Sequence, residues 1–233
     1  MQTSNTVVAS ERLNLIKLLI FDHDMTIVDS SCAITEAINL AADELNKPRV
    51  TRETVLKFAA VPMQELLVGV WGEWRPEWID LYRKKSAPIE HDLIRPFPDV
   101  PPTLLALKKA GAILAVASNR YDPKVAMDKS GMSQYFDAMI GIRDALLQKP
   151  NPAMLMILME RFSAAREETI YIGDSDIDAQ TAHAAEVRFI GITTGFFSRE
   201  QMQALGAWRI LSTMSELLPL VLPEIEPYTI HNA

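Results

Sequence analysis

Residues 21–30 have the sequence FDHDMTIVDS, which places two carboxylates and a hydroxyl at fixed spacings directly after an apolar run. That run, Leu15 to Phe21, is typical of a buried strand, and open α/β sheets keep their chemistry at the carboxyl ends of such strands. Residues i and i+2 of an extended segment point the same way, so Asp22 and Asp24 are placed to act together, one as nucleophile or metal ligand and the other as proton carrier. The alternative is that the acids only end a strand, because Asp is common in turns.

Polar side chains follow two further apolar runs along the chain. The run ILAVA leads into Ser118 and Asn119, and the run TIYI, which starts at Thr169, leads into the acid cluster GDSDID. Between them, Lys149 lies in a proline-containing loop. Taken alone, Ser118 is equally well explained as a helix N-cap, and Lys149 as a solvated surface lysine. Delivery of polar groups at the same end of each strand nevertheless favours a shared site.

Length and composition limit the classes of function. At 233 residues, 48% of them hydrophobic, the chain is long enough for one sizeable α/β domain and a smaller insert. Its formal net charge of -7 and its lack of a Lys/Arg cluster argue against nucleic acid or an anionic membrane as the principal partner. A small phosphorylated molecule stays open as a partner, because a bound Mg²⁺ can carry the local positive charge that the protein lacks. No apolar run approaches the ~20 residues of a membrane span.

The sequence also predicts a cytoplasmic protein. Cys32 is the only cysteine, so no intramolecular disulfide forms, which suits a reducing compartment. Residues 1–10 are polar and contain no basic stretch ahead of an apolar one, which argues against a secretion signal.

The chain between residues 31 and 90 has the apolar spacing of helices and no strand pattern. Helices are predicted at 31–47, from about 51, at 64–70 and at 77–84, with a break at Val61-Pro62. The proline-rich segment 95–102 then marks the return to the main domain. We therefore predict a helical cap domain at 31–94 and a main domain made of 1–30 and 95–233.

From residue 103 onward, helical and strand patterns alternate. The predicted elements are helices at 103–110, 123–129, 152–162 and 177–185, and strands at 113–117, 138–141, 169–172 and 188–192. The spacings Ser198-x-x-Gln201 and Thr213-x-x-Glu216 are typical of capping boxes for the last two helices. This alternation predicts the α/β fold class, a doubly wound parallel sheet with the all-helical cap as an insert.

The ordered set of an acid pair, a strand-end hydroxyl, a lone cation and a second acid cluster resembles the haloacid dehalogenase superfamily of aspartate-nucleophile phosphatases. The resemblance runs from about Leu15 to the C-terminal helix, and it includes the small helical cap that follows the first motif. Within the superfamily the chain looks most like the phosphoglycolate phosphatases. The resemblance implies a Mg²⁺-dependent hydrolase that acts on a small phosphorylated metabolite.

The resemblance assigns separate roles to the residues of the first motif. Asp22 would attack the phosphorus and form an aspartyl-phosphate, which water then hydrolyses. Asp24 would protonate the leaving oxygen and later deprotonate the attacking water. Thr26 would help to hold the loop and the phosphate-binding site by hydrogen bonding.

The later motifs are implied to bind the phosphate and the metal. Ser118 and a neighbouring amide N–H, at Asn119, would donate to the phosphoryl oxygens, and Lys149 would neutralise both the phosphate and the nucleophile. Asp178 would orient Lys149 or a metal-bound water. Mg²⁺, which prefers oxygen ligands, would be held by Asp22, Asp24 through its carbonyl, Asp174 and Asp178.

Two alternatives stay open at this stage. Phosphosugar mutases of the same superfamily use basic residues on the cap to hold a second phosphate; the loop at 59–64 has none, but Arg49, Arg52 and Arg75 lie elsewhere in the cap. The other alternative is a catalytically silent binding protein on the same fold, although every motif residue is present. Haloalkanoate dehalogenase activity is disfavoured, because those relatives need no second acid at the position of Asp24.

A few residues near the motifs carry structural expectations. Met25 stands where the superfamily usually has Gly, so the cap-facing side of the pocket is expected to differ from that of better-matching relatives. His23 is expected to point away from both acids by strand alternation. Trp71, Trp74 and Trp78 are expected to pack the cap rather than to stack on a base.

Overall fold

The computed structural model describes residues 16–58 and 63–225. The predictions for the polar leader at 1–10, for a strand start at Leu15 and for a break at Val61-Pro62 lie outside the described residues. None of the helices in the two described ranges combines the length and the apolar composition that a membrane crossing requires.

Six parallel strands form the main sheet. The strands of the described residues are β1 (Leu18–Phe21), β2 (Val28–Asp29), β3 (Arg95–Pro96), β4 (Ile113–Ala117), β5 (Ala138–Ile140), β6 (Thr169–Gly173), β7 (Arg188–Ile192) and β8 (Arg209–Leu211). The spatial order in the main sheet is β5-β4-β1-β6-β7-β8. The short strands β2 and β3, which the sequence did not predict, pair with each other as an antiparallel ribbon.

Helices connect the parallel strands, as the alternating pattern predicts. The helices of the described residues are α1 (Ser31–Leu45), α2 (Arg52–Leu56), α3 (Met63–Trp71), α4 (Pro76–Leu93), α5 (Val100–Lys109), α6 (Pro123–Lys129), α7 (Ile142–Ala145), α8 (Ala153–Phe162), α9 (Asp176–Ala185), α10 (Arg199–Ala204) and α11 (Leu217–Val221). The predicted α/β fold class, a doubly wound parallel sheet, is confirmed.

Both faces of the sheet are buried, because side chains alternate along each strand. Leu19 and Phe21 of β1 belong to the hydrophobic cluster that includes residues of α5 and α11. Leu18 and Ile20 belong to the cluster on the other face, with residues of α8 and α9. All four side chains are fully buried, and burial of each stabilises the fold by roughly 1.5–3 kcal/mol. The strand that leads into the first motif is thus fully buried between β4 and β6 in the middle of the sheet.

Helices α1 to α4 lie between β2 and β3 in the chain and have a hydrophobic cluster of their own, centred on Ile38 and Leu67. Residues 31–93 contain no strand where the structure describes them, as predicted. Trp71 and Trp78 pack edge to face, with ring centroids 5.6 Å apart. Trp74 is 40% exposed, so the expectation that it packs the cap is wrong: it lies in the turn between α3 and α4.

Two helices differ by three residues or more from their predicted bounds, and the smaller differences elsewhere are one or two residues at an end. Helix α5 begins at Val100 instead of Thr103, because prolines are tolerated in the first turn, where their missing N–H has no helical partner. Helix α4 continues to Leu93, past the predicted end at Lys84. The apolar period weakens there, but packing of α4 against α1 supports the longer helix.

One of the two predicted capping boxes forms. Ser198 Oγ accepts a hydrogen bond from Gln201 N–H (3.3 Å), and Gln201 Oε1 accepts one from Ser198 N–H (2.8 Å). The box at Thr213 is wrong, because its hydroxyl bonds to the side chains of Ser215 and Glu216 instead of to the backbone.

Candidate active site

The candidate site lies where β1, β4 and β6, three neighbouring strands of the sheet, end. The last residue of β1 pairs with the penultimate residues of β4 and β6, so the three strands end at nearly the same level. The polar residues that follow them, Asp22, Ser118 and Asp174, therefore meet at one edge of the sheet. All three are buried.

Lys149 links the first acid to the second acid cluster. Its Nζ atom lies 2.6 Å from Asp22 Oδ1, 2.7 Å from Asp178 Oδ1 and 2.9 Å from the Tyr171 hydroxyl. Burial disfavours the charged form of this lysine, but the Asp178 and Asp22 carboxylates outweigh it, so the pKa of Lys149 lies above its ordinary value. Lys149 is therefore a buried cation of the site and not a solvated surface lysine.

The side chain of Asn119 fixes the loop that carries Lys149. Asn119 Oδ1 accepts a hydrogen bond from Lys149 N–H (2.7 Å), and Asn119 Nδ2 donates to the Lys149 carbonyl (3.2 Å). The Lys149–Pro150 peptide bond in this loop is cis. Because the Asn119 side chain is used in this way, contact with a substrate is left to its backbone N–H.

Ser118 is not a helix cap. Its Oγ atom accepts a hydrogen bond from Arg120 N–H (3.2 Å), within the turn that follows β4. The N-cap of α6 is Asp122, whose carboxylate accepts from Lys124 N–H (3.2 Å). The Ser118 hydroxyl proton stays available for another acceptor.

Asp178 has the hydrogen bonds of a positioning group. Its Oδ1 accepts from Lys149 and from the Tyr171 hydroxyl (2.7 Å), and its Oδ2 accepts from the Ser175 N–H (3.2 Å) and hydroxyl (2.6 Å). A carboxylate has about four lone-pair sites, so these bonds fill them. A β-carbon at Gly173 would clash with Asp178 Cγ, so this close packing needs glycine.

The Asp174 carboxylate accepts a hydrogen bond from one hydroxyl and packs closely against a glycine. Thr26 Oγ1 donates to Asp174 Oδ1 (2.9 Å), and a β-carbon at Gly195 would clash with Asp174 Oδ2. Burial raises the pKa of Asp174 well above its ordinary value, and the nearby Asp178 and Asp22 carboxylates add to the rise. The folded chain thus places this carboxylate where a cation would stabilise its charge.

The arrangement of the acids fits a divalent cation. One carboxylate oxygen from each of Asp22, Asp174 and Asp178 lies within 4.8 Å of the others. Burial raises the pKa of Asp22 to about 7 against the opposing charge of Lys149, and the Asp178 and Asp24 carboxylates add to the rise. Mg²⁺ prefers such oxygen ligands. Since the acceptor positions of the Asp178 carboxylate are already occupied by hydrogen bonds, Asp22 and Asp174 are the acids suited to bind the ion directly.

Asp24 contacts a different cation. Arg120 Nε and Nη2 each donate to one oxygen of the Asp24 carboxylate, both at 2.8 Å. Burial opposes the charge, but the Arg120 guanidinium and the His23 ring hold the pKa of Asp24 well below its usual range. His23 Nδ1 lies 3.2 Å from Asp24 Oδ2, so the expectation that His23 points away from Asp24 is wrong. The reason is that strand alternation ends at Phe21, where the chain begins to turn.

Met25 occupies the bend after the second acid. Its φ angle of 60° lies in the left-handed region, which costs a residue with a β-carbon roughly 1–2 kcal/mol. The Met25 N–H donates to the Val28 carbonyl (2.8 Å), and the Met25 carbonyl accepts from the Thr194 hydroxyl. These bonds hold the bend in the conformation that a glycine would adopt without strain.

Three residues of this site, Tyr171, Arg120 and Gly195, are not among those predicted from the sequence. Tyr171 looked like an ordinary core residue of its strand, and nothing local indicated that its hydroxyl reaches Lys149 and Asp178. Arg120 gave one signal, its place directly after the strand-end pair of Ser118 and Asn119. Gly195 lies in a loop far along the chain and gave no signal.

Comparison with known proteins identifies the family. Residues 19–192 match the model of the haloacid dehalogenase-like hydrolases, and the chain belongs to this family. It is 29% identical over 174 residues to a phosphoglycolate phosphatase of Aquifex aeolicus, which covers 72% of this chain and 81% of the relative. It is 26% identical over 202 residues to the pyrophosphatase PpaX of Bacillus velezensis, with 86% and 94% covered. The chain is a phosphatase of this family.

Solved structures show the same fold. A candidate haloacid dehalogenase-like hydrolase from Bacteroides fragilis is 29% identical, with a TM-score of 0.77 over 87% of this chain and 99% of that one. A candidate beta-phosphoglucomutase from Thermotoga maritima is 20% identical, with a TM-score of 0.71 over 88% and 98%. The second similarity supports the fold alone.

Proposed function

We propose that this phosphatase is a Mg²⁺-dependent phosphomonoester hydrolase that acts on a small phosphorylated metabolite through an aspartyl-phosphate on Asp22. The observation that carries the proposal is the buried Lys149 ammonium, which contacts Asp22 while Asp174 lies within metal-bridging distance. The phosphatase names of the relatives support the reaction class.

Asp22 is the proposed nucleophile. Lys149 binds Oδ1 of this carboxylate and holds it in place, which leaves Oδ2 to attack the phosphorus. The new bond to phosphorus forms as the bond to the leaving oxygen breaks, and water then hydrolyses the aspartyl-phosphate in a second step. Division of a difficult hydrolysis into two steps is what a buried carboxylate nucleophile contributes.

The phosphoryl oxygens have two proposed donors at the same edge of the sheet, the Ser118 hydroxyl and the Asn119 backbone N–H. The Lys149 ammonium adds positive charge beside them, because its three N–H groups already donate to Asp22, Asp178 and Tyr171. Fixed donors of this kind stabilise the charge that develops on a phosphoryl group in the transition state. Thr26, predicted to bind phosphate, uses its hydroxyl on Asp174, so we assign it the positioning of that acid.

Asp22, Asp174 and the Asp24 carbonyl are the groups that would hold Mg²⁺. When bound, the ion supplies positive charge to the phosphoryl oxygens and balances the acids. Asp178, which the sequence placed among the metal ligands, is assigned to the orientation of Lys149 instead, because its oxygens are already hydrogen-bonded.

Asp24 is the proposed proton carrier. Its carboxylate follows the nucleophile by two residues and is partly open to solvent. It is bound on both oxygens by Arg120, so it has to leave that partner before it contacts a leaving oxygen. A positioned proton carrier contributes roughly 10²–10⁴-fold to the rate.

No described contact favours the mutase alternative. Arg49 is paired with Asp43 and Glu36, and Arg52 with Asp29. Arg75 lies near Glu73 and over the Trp78 ring.

We also infer that residues 31–94 form a cap domain, which the separate hydrophobic cluster of α1 to α4 supports.

Hydrolysis of p-nitrophenyl phosphate tests the proposal. We expect activity with Mg²⁺, its loss in excess EDTA and its return when Mg²⁺ is restored. Full activity in EDTA would contradict the metal requirement. Absence of activity under every metal condition would contradict the hydrolase assignment itself.

A further inference from the structure

The pair of Asp24 and Arg120 has a geometry that recognises a planar anion. Two parallel N–H···O bonds of 2.8 Å join the guanidinium to the carboxylate. Arginine makes this forked contact with any carboxylate or phosphoryl group of suitable position. The partner that Arg120 has here, the carboxylate of Asp24, is thus one of several anions that the fork accommodates.

The backbone of Arg120 is fixed beside the proposed phosphate site. Its N–H donates to Ser118 Oγ (3.2 Å), and its carbonyl accepts from Ile142 N–H (3.0 Å). Ser118 is a proposed phosphoryl donor, so the guanidinium starts from a point next to the phosphate. Only the long side chain has to move for the fork to reach an anion on the substrate.

Partial exposure of Arg120 and Asp24 lowers the free energy needed to separate them. The side chains of Arg120 and Asp24 are 19% and 30% exposed, against 4% for Lys149. Water competes for the charges of a partly exposed ion pair, so this pair is easier to separate than the buried pairs of Lys149. An incoming carboxylate replaces one forked contact with another, so the guanidinium keeps a partner.

We propose that Arg120 forms a subsite for a second anionic group of the substrate, a carboxylate or a phosphoryl group close to the phosphate that is cleaved. Binding of this group draws the guanidinium away from Asp24 and frees Asp24 to reach the leaving oxygen. The proposal rests on the proposed function, which makes Asp24 the proton carrier. Substrates without a second anion leave Arg120 on Asp24 and are turned over slowly.

Other basic residues near this edge have different duties. Lys149 is buried between Asp22 and Asp178. Arg143, which packs near the same turn, is paired with Asp122 and Asp144 on the surface. Arg120 is therefore the described cation that combines proximity to Ser118 with a side chain partly open to solvent.

Three substrates and two variants test the subsite. We would measure kcat and KM for phosphoglycolate, inorganic pyrophosphate and ethyl phosphate, which carry a second carboxylate, a second phosphoryl group and no second charge. Loss of a charge-assisted forked contact, worth about 1.5–3 kcal/mol, corresponds to about 10–100-fold. Arg120→Met should lower kcat/KM by this factor for the doubly anionic substrates and should not lower it for ethyl phosphate, because loss of the guanidinium leaves Asp24 free to reach the leaving oxygen. Arg120→Lys, which keeps the charge but loses the fork, should fall between.

Direct binding supplies a second readout. In the Asp22→Asn background, which is expected not to turn over, phosphoglycolate should bind more tightly than ethyl phosphate, and Arg120→Met should remove the difference. Arg166→Met is the matched control, because Arg166 is exposed, paired with Glu186 and located before β6, at the opposite end of the strand from the site.

The outcomes separate the alternatives. Preference of the wild type for phosphoglycolate alone identifies a carboxylate subsite, and preference for pyrophosphate alone a phosphoryl subsite. Equal activity of the wild type on all three substrates, or an equal loss on all three in Arg120→Met, would overturn the subsite. Either result leaves the proposed function standing, because hydrolysis of p-nitrophenyl phosphate tests that function separately.

Discussion

Two groups of charged residues lie at the same end of the sheet, and they differ in how deeply they are buried. Lys149 is buried in a network with Asp22, Asp178 and Tyr171, in which the acids outnumber the cation. Arg120 and Asp24 form a forked ion pair that is partly exposed, with His23 beside the carboxylate. Charges that must stay fixed during a reaction are thus held by several buried partners. A charge that must change partners is kept near solvent, where exchange costs little.

Removal of the deep cation should have the largest effect. Lys149→Met leaves the Asp22 and Asp178 carboxylates buried without their partner, and we expect a loss of about 3–5 kcal/mol in the free energy of unfolding. Urea denaturation in the presence of EDTA measures this without help from a bound ion. The exposed Lys129 provides the control Lys129→Met, which should change the free energy of unfolding by less than about 0.5 kcal/mol. A Lys149→Met protein as stable as the control would contradict the claim that Lys149 is a fixed, stabilising partner of the buried Asp22 and Asp178 carboxylates.

The hydroxyl of Tyr171 should contribute the next largest effect. Tyr171→Phe removes a partner from both Lys149 and Asp178, two buried charged groups, which should lower the free energy of unfolding by about 1–3 kcal/mol. We also expect kcat to fall more than KM rises, because the substitution disturbs the position of Lys149 and removes no substrate contact. Tyr121, which is 69% exposed, provides the control Tyr121→Phe. Equal behaviour of the two variants would show that the deep network does not depend on the hydroxyl.

The excess of buried carboxylates around Lys149 predicts how substitution of one acid changes Mg²⁺ affinity and stability. Asp174→Asn should raise the Kd for Mg²⁺, measured by calorimetry, at least about 10-fold, or about 1.4 kcal/mol. In EDTA the same variant should be no less stable than the wild type, because it removes one of several mutually repelling buried charges. Asp176→Asn is the matched control, since Asp176 bonds only to Ile177 N–H and the Gln180 side chain among its described hydrogen-bond partners. Equal loss of Mg²⁺ affinity in both variants would mean that Asp174 is no metal ligand.

The outer pair should contribute least to stability. Arg120→Met should lower the free energy of unfolding by less than about 1 kcal/mol, because the pair is partly exposed. The same urea series that includes Lys149→Met measures it. A loss as large as that of Lys149→Met would show that Arg120 is a fixed structural cation, and the contrast between the pairs would disappear.

Much of the fold follows from local patterns in the sequence. The strands at Ile113–Ala117 and Arg188–Ile192 and the helix at Pro123–Lys129 have the predicted ends, because apolar runs and a proline at the helix start fix them locally. The ribbon of β2 and β3 was not predicted, since two residues per strand are too few for a pattern to show.

Parts of the candidate site also follow from local sequence patterns, and other parts do not. Asp22, Ser118 and Asp174 could be predicted to meet because each directly follows a strand of one parallel sheet. Tyr171 and Arg120 could not, because their roles arise from contacts with residues distant in the chain. The side-chain direction of His23 could not be predicted either, because His23 lies two residues beyond the end of β1, where strand alternation no longer holds.

Rapid-quench mass analysis tests the central claim most directly. The Asp24→Asn variant, mixed with p-nitrophenyl phosphate and Mg²⁺, should accumulate a phosphoryl group on Asp22, because this good leaving group needs little protonation while the attack of water is slowed. The Asp22→Asn variant should carry no phosphoryl group at any time and should show no turnover. A phosphorylated Asp22→Asn protein, or a phosphoryl group mapped to Asp24 in the wild type, would contradict the assignment of the nucleophile.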